Sequence, residues 1–362
     1  MRIALYATNE YPYPLPAGAI HAVVTLAGAL ADGLTERGHE VTLYCPEEST
    51  TKAHKKTLGY RSFINLPISV PSGSIRYQCK SFYSQRMVRD MVDDIKRNPV
   101  DLIHLHNVRD ALPLMHLLPD IPKVVTVHDS LFITQYKFFL NLYKDLPNTH
   151  FVSISKRQQE GMPELPFFSN VYNGTDTNLF RYNPTPENHL LFSGRFIPQK
   201  GVDVAIQAAQ QARRPIHVIG FFDKRVELTK EFRQAVTVLL HQPYVRYSKK
   251  VDYQNLAKLY GQAQALLFPV QWEEAFGLVM IEAMACGTPV IAFKRGSVPE
   301  IVVDGKTGYI VQTLPEMVRA IKKISLIKRQ DCRDHVEKNF SQASMIEQYE
   351  SVYTAVLNQS IQ

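Results

Sequence analysis

Along the chain, short runs rich in β-branched and apolar residues alternate with stretches whose apolar positions recur every three or four residues. That alternation marks βαβ units and a parallel sheet. In the first half it predicts strands at Arg2–Thr8, Val41–Cys45, Asp101–His106, Lys123–His128 and His150–Ile154. A helix is expected over His21–Glu36, stopped by Gly38, and another over about Tyr83–Arg97. Pro12, Pro14 and Pro16, ending at Gly18, mark the first strand-to-helix connection as a loop.

A second series begins at His189–Ser193 and continues at Ile216–Gly220, Val245–Tyr247, Ala265–Pro269, Pro289–Phe293 and Tyr309–Val311. Helical patterns at Val202–Gln211, Asn255–Gln262 and Leu278–Ala285 lie between these strands. Turn-formers cluster at Asn173–Pro186, which divides the chain. The expectation is an α/β protein of two similar Rossmann-like domains, with parallel sheets facing across a cleft. One domain covers residues 1–172 and the other 173–343. A length of 362 residues agrees, since it exceeds one comfortable core.

Composition excludes disorder: 45% of residues are hydrophobic and 21% charged. The net charge of +7 fits an acidic ligand, an anionic membrane surface or nucleic acid, and alone selects none. Cys45, Cys79, Cys286 and Cys332 have neither metal-ligand nor redox spacing, which predicts free thiols in a reducing compartment. Met1-Arg2-Ile3 opens directly into a strand, and no apolar run is long enough to cross a bilayer. The expected location is cytoplasmic, with peripheral contact at the inner membrane face still open. Lys52, Lys55, Lys56 and Arg61 are read as a solvated loop, the alternative being a membrane or acidic-acceptor contact. Lys322, Lys323, Lys328 and Arg329 are read as an exposed helix face.

The densest chemistry lies between Trp272 and Val290. Phe268-Pro269 ends a buried strand, Glu274 lies in the loop after it, and a helix starts near Gly277. A helix N-terminus at the carboxyl end of a parallel strand is a phosphate site, and glycine lets the anion approach the amides. Phe276, Gly277, Leu278 and Val279 are therefore candidate phosphate-side contacts. Glu282 lies more than a turn inside the helix among Val279, Met280, Ile281, Ala283 and Met284. A carboxylate there needs a partner, and ribose hydroxyls are its natural target. His104 and His106 share a strand face without a third ligand nearby, so a structural role is favoured over a metal.

Two glutamates seven residues apart, with Phe-Gly after the first and Glu-Ala-Met-Ala-x-Gly-x-Pro-Val around the second, resemble family 4 of the retaining glycosyltransferases. The likeness runs over nearly the whole chain. Gly194-Arg195 and Lys200-Gly201 resemble the segment whose arginine and lysine hold the donor pyrophosphate in that family. Gly296-Ser297-Val298-Pro299-Glu300 and Gly305-Lys306-Thr307-Gly308 match its glycine-rich region, and Asn173-Gly174-Thr175-Asp176 its crossover. Thr126-Val127-His128-Asp129 matches the strand end where a family histidine faces the donor hexose. Two departures stand out. Pro16-Ala17-Gly18-Ala19 offers only Gly18 where the family has adjacent glycines, and Ser297 replaces the second glycine of Gly-Gly-x-Pro-Glu.

The resemblance implies a GT-B enzyme that moves a hexose from a nucleoside diphosphate sugar to a hydroxyl on a glycan, glycolipid or small molecule, retaining configuration. UDP-sugars are favoured over GDP-sugars, and no cofactor or metal is expected, since no Asp-x-Asp occurs. Arg195 and Lys200 would stabilise the leaving diphosphate, Glu274 hold hexose hydroxyls, Glu282 the ribose, and His128 the sugar or reacting face. The family also implies a last helix, 344–362, that packs back on the first domain. Rivals are a GT-B sugar-nucleotide epimerase and a non-catalytic sugar-nucleotide-binding protein. A dinucleotide oxidoreductase lacks its Gly-x-Gly-x-x-Gly here, and the glutamate placement fits a glycosidase pair poorly.

Overall fold

The computed structural model describes residues 1–16, 18–67, 73–223 and 226–359. Two compact units divide the chain: Met1–Asn173 with Gln342–Gln362, and Gly174–Ser341.

The first unit holds seven parallel strands: β1 (Arg2–Tyr6), β2 (Glu40–Tyr44), β3 (His54–Lys56), β4 (Leu102–Leu105), β5 (Lys123–Thr126), β6 (Thr149–Ser153) and β7 (Phe167–Asn170). Their order in the sheet is β3-β2-β1-β4-β5-β6-β7. β1 and β4 are adjacent while their connections leave to opposite sides, so the topological switch point lies between their carboxyl ends. The central strands are buried, as expected of a parallel sheet covered by helices.

The edge strands β3 and β7 do not show in the apolar pattern. β3 is His-Lys-Lys and exists by backbone pairing with β2, a device local hydrophobicity does not report. The basic segment around it is thus part strand and not a simple loop, while Lys52, Lys55 and Arg61 stay exposed to solvent. Lys52 pairs with Glu36, Lys56 with Asp94 at 3.0 Å and Arg61 with Glu48 at 3.5 Å. Lys55 donates to the carbonyls of Glu47 and Ser49, both at 3.1 Å. The helix expected from Tyr83 begins earlier and spans Ser74–Arg97. Its early turns expose Ile75, Tyr77 and Phe82 to solvent, which obscures the apolar period.

The second unit has six parallel strands: β8 (Leu190–Ser193), β9 (Ile216–Ile219), β10 (Val245–Ser248), β11 (Ala265–Phe268), β12 (Val290–Phe293) and β13 (Gly308–Val311). The order β10-β9-β8-β11-β12-β13 puts its switch point between β8 and β11. Helices Val202–Ala212, Tyr253–Gln262 and Leu278–Ala285 follow the sequence pattern closely. Arg329 does not lie on an exposed face. Its guanidinium donates to the carbonyls of Asn183, Gly261, Ala263 and Cys286 and to the Thr288 hydroxyl. Arg333 likewise reaches the carbonyls of Phe180, Ala285 and Thr177. Arg329 thereby reaches the carboxyl ends of the helices Tyr253–Gln262 and Leu278–Ala285, and Arg333 the end of the latter.

The final helix, Gln342–Gln359, belongs to the first unit and buries Met345, Ile346, Tyr349, Val352, Tyr353 and Val356. Residues 360–362 of the expected helix lie outside the described residues. His104 Nδ1 lies 2.7 Å from the Tyr353 hydroxyl and its Nε2 2.8 Å from Thr126 Oγ1. Thr126 in turn meets the Tyr349 hydroxyl at 2.8 Å. Glu350 bonds Arg37 at 2.5 Å and His39 at 2.9 Å.

Tyr353→Phe should leave the buried His104 nitrogen without a partner and destabilise the first unit by about 1–3 kcal/mol. Urea unfolding followed by circular dichroism should show the loss. Fluorescence of Trp272, the single tryptophan, should not, because it sits in the second unit.

Candidate functional site in the second unit

The loops that follow β8 and β11 flank the switch point, and close backbone packing holds them together. A Cβ on Gly201, whose φ is +67°, would stand 2.2 Å from the Pro269 carbonyl oxygen. The Gln271 amide donates to the Gln199 carbonyl at 2.8 Å, lacing the two loops. Lys200 and Glu274, read separately from sequence, meet here: Nζ donates to Oε2 at 2.6 Å. Trp272 Nε1 donates to the same oxygen, also at 2.6 Å. The ammonium also lies 5.8 Å and 5.6 Å from the ring centroids of Phe268 and Trp272. Both charges are mostly buried, 16% and 13% exposed, so their attraction is weakly screened.

Arg195 lies in the same loop and donates to Asp223 Oδ2 at 2.8 Å. Asp223 is buried and follows β9; nothing in its sequence context marks it. Gly194 matters through its backbone, since a Cβ on Gly220 would fall 1.9 Å from its carbonyl oxygen.

A third loop braces the Glu274 segment. The Gly296 amide donates to Glu273 Oε2 at 3.0 Å, and the Ser297 amide to the Glu274 carbonyl at 3.0 Å. Ser297 Oγ donates to the Phe276 carbonyl at 2.5 Å. Serine in the family's glycine position therefore adds a clamp, while the amides of 296 and 297 are occupied within the protein. Phe276 itself is a buried anchor against Phe340. The chain then turns through Gly277 at φ +88° into the helix Leu278–Ala285, which has no side-chain cap. Among the described residues, the amides of Leu278 and Val279 find no acceptor. Two such donors at the positive end of a helix are suited to an anion.

Glu282 is 6% exposed. Its Oε2 accepts from the Tyr260 hydroxyl at 3.1 Å, and Oε1 accepts nothing among the described residues. Burial pushes its carboxyl up to about 7, with the Tyr260 bond acting in the opposite direction.

Gly18 and His128 are in the first unit. Gly18, at φ +74°, lies in the loop before the helix Ala22–Glu36; Ala17 beside it is outside the described residues. His128 follows β5, with Nε2 2.9 Å from His106 Nδ1. Burial, then the charge of His21, lowers its imidazole to about 3, so it is neutral at pH 7. Among the described residues, no group of three or more histidines, cysteines or carboxylates could hold a metal ion. Nor is any described helix long and apolar enough to cross a membrane.

Two parallel-sheet units with a bare helix N-terminus and paired cations at the second switch point define a class. The comparisons agree. Residues 176–342 match the family model described as glycosyl transferases group 1, and residues 23–160 match glycosyltransferase family 4. An uncharacterized glycosyltransferase of Methanocaldococcus jannaschii is 28% identical over 68% of this chain and 70% of its own. Sucrose-phosphate synthase from Thermosynechococcus elongatus superposes with a TM-score of 0.77 at 20% identity, covering 99% of both chains. HepE of Anabaena, solved with UDP and glucose, gives 0.71 at 18% identity over 98% of this chain and all of its own. The protein is a glycosyltransferase of the GT-B type. Within that class, its first half matches glycosyltransferase family 4 and its second half glycosyl transferases group 1.

Glu282 titrates higher in the folded chain than its ordinary value of 4.5, so its protonated form favours folding. That contribution is fully present below pH 4.5 and is lost as pH rises to about 7. The second unit of Glu282→Gln, measured by Trp272 fluorescence, should gain on wild type across that window, by about 3 kcal/mol at the upper end. A difference independent of pH would contradict the assignment.

Proposed function

We propose that the enzyme moves a hexosyl group from a nucleoside diphosphate hexose to an acceptor hydroxyl with retention of configuration. The bond from the anomeric carbon to the diphosphate oxygen breaks. The acceptor oxygen then bonds to that carbon on the same face, and the hydroxyl proton leaves with the diphosphate. The observation that carries the reading is the pair of unpartnered amides at Leu278 and Val279, in the same switch-point site as Lys200 and Arg195. Amides and cations fixed in advance stabilise charge on a departing diphosphate at little reorganisation cost.

In this reading the diphosphate competes with Glu274 for Lys200 and with Asp223 for Arg195. Glu274 turns toward hexose hydroxyls. The open Oε1 of Glu282 accepts from a ribose hydroxyl, while Tyr260 holds the other oxygen. His128, neutral at pH 7, contacts substrate and is not the general base. The UDP and glucose held by HepE support UDP-hexose over GDP-hexose as donor. The protein's own cations and amides supply the charge stabilisation, so the reaction needs no divalent metal.

Calorimetry with UDP is the direct test, with Glu282→Ala expected to weaken binding and Glu274→Ala chiefly to slow turnover. UDP bound equally well by Glu282→Ala would remove the ribose assignment. Conversion of a UDP-hexose to its epimer without acceptor would replace transfer by epimerisation.

Arg195→Ala and Lys200→Ala should each lower the transfer rate by about 100- to 1,000-fold, the usual effect of losing one charge-stabilising donor. Activity should persist in excess EDTA. Loss restored by magnesium or manganese would overturn the metal-free reading.

A further inference from the structure

The first unit has a switch point of its own, between the carboxyl ends of β1 and β4, where open α/β sheets bind ligands. Glu10 follows β1, and Arg109 and Asp110 follow β4. Lys80 reaches in from the helix Ser74–Arg97. The acids here are already partnered. Asp110 accepts from Ser81 Oγ at 2.7 Å and Asn107 Nδ2 at 2.8 Å, with Lys80 Nζ 3.6 Å away. Glu10 lies 3.8 Å from both Lys80 and His21. Burial pushes the Asp129 carboxyl up, opposed by the charge of Arg109, the Tyr136 hydroxyl beside it and the charge of Lys80.

Arg109 differs from all of them. Its guanidinium carbon lies 5.0 Å from the ring centroid of Tyr77 and 5.1 Å from that of Tyr136. Among the described residues it makes no hydrogen bond and no direct ion pair, although it is half-buried; the Asp129 carboxylate acts on it only at longer range. Two aromatic contacts hold the group while its N–H fork stays unused. The ordering cost of a bidentate partner is thus largely met before any ligand arrives.

We propose that Arg109 is the receptor for an oxyanion, a carboxylate or phosphate carried by the acceptor. Naming the ligand as the acceptor rests on the transfer reaction proposed above; the anion site itself does not. The planar fork matches either group through two parallel charge-assisted bonds. Tyr77 and Tyr136 flank the bound anion with apolar ring surface, and Glu10 and Asp110 stand nearby as hydroxyl acceptors.

The test titrates inorganic phosphate, and separately succinate, into the full-length Arg195→Ala, Lys200→Ala double variant. That background silences anion binding at the second unit's cations whether or not they form a donor site. At least one anion should bind. Adding Arg109→Gln should weaken it about ten- to a hundredfold, the scale of a lost charged hydrogen-bond pair. Arg109→Lys, which keeps the charge and loses the fork, should fall between. If Arg109→Gln melts early, the lysine variant carries the comparison. Tighter phosphate identifies a phosphorylated acceptor and tighter succinate a carboxylated one. Absence of binding for both, or affinity unchanged in the Arg109 variants, overturns the proposal. UDP titrated into wild type is read independently, so failure of the donor assignment remains distinguishable.

Discussion

The backbone of Glu274 runs so close to Gly296 that a Cβ there would stand 2.1 Å from its carbonyl oxygen and 2.4 Å from its nitrogen. The second unit's site depends on that approach. It lets the Ser297 amide and hydroxyl grip the Glu274 and Phe276 carbonyls, and so fixes where the chain turns at Gly277 into its helix. The same brace holds the Glu274 carboxylate against Lys200 and Trp272. A side chain at 296 would displace the loop and with it the bare helix end. The φ of +53° restricts the position to glycine for a second reason.

Each site cation of the second unit rests on a carboxylate, Lys200 on Glu274 and Arg195 on Asp223. Such pairs keep charged groups oriented in a poorly screened setting where a lone charge would be costly. In the proposed reaction an arriving anion would exchange one partner for another, with the side chains already ordered. Arg109 in the first unit is held differently, by two tyrosine faces that orient it and leave its donors unspent. Both arrangements stand at the one place in each sheet where adjacent connections part and leave room for a ligand.

Much of this was legible along the chain because it is encoded locally. Central strands such as Leu102–Leu105 and Val290–Phe293 are buried on both faces and read as continuous apolar runs. Glu274, Gly277 and Glu282 could be found because a strand end, a glycine and an apolar helix follow in close order. Partners remote in sequence left no such trace. Asp223 lies 28 residues from Arg195, and Tyr260 lies 22 from Glu282. Arg109 carries no motif at all; only folding brings Tyr77 and Tyr136 to its two sides.

By itself, then, the sequence determined the parallel α/β class, the division into two units and the order of the chemical groups along each strand end. These follow from the period of burial and from glycines at forced turns, both properties of a few consecutive residues. The tertiary structure alone decided that His-Lys-Lys would be an edge strand, held by backbone pairing with β2 and not by burial. It alone turned Arg329 inward onto four carbonyls, and it alone set Lys200 on Glu274. Hydrogen bonds and ion pairs join residues that the fold makes neighbours, and no local pattern of polarity carries the identity of a partner 74 residues away.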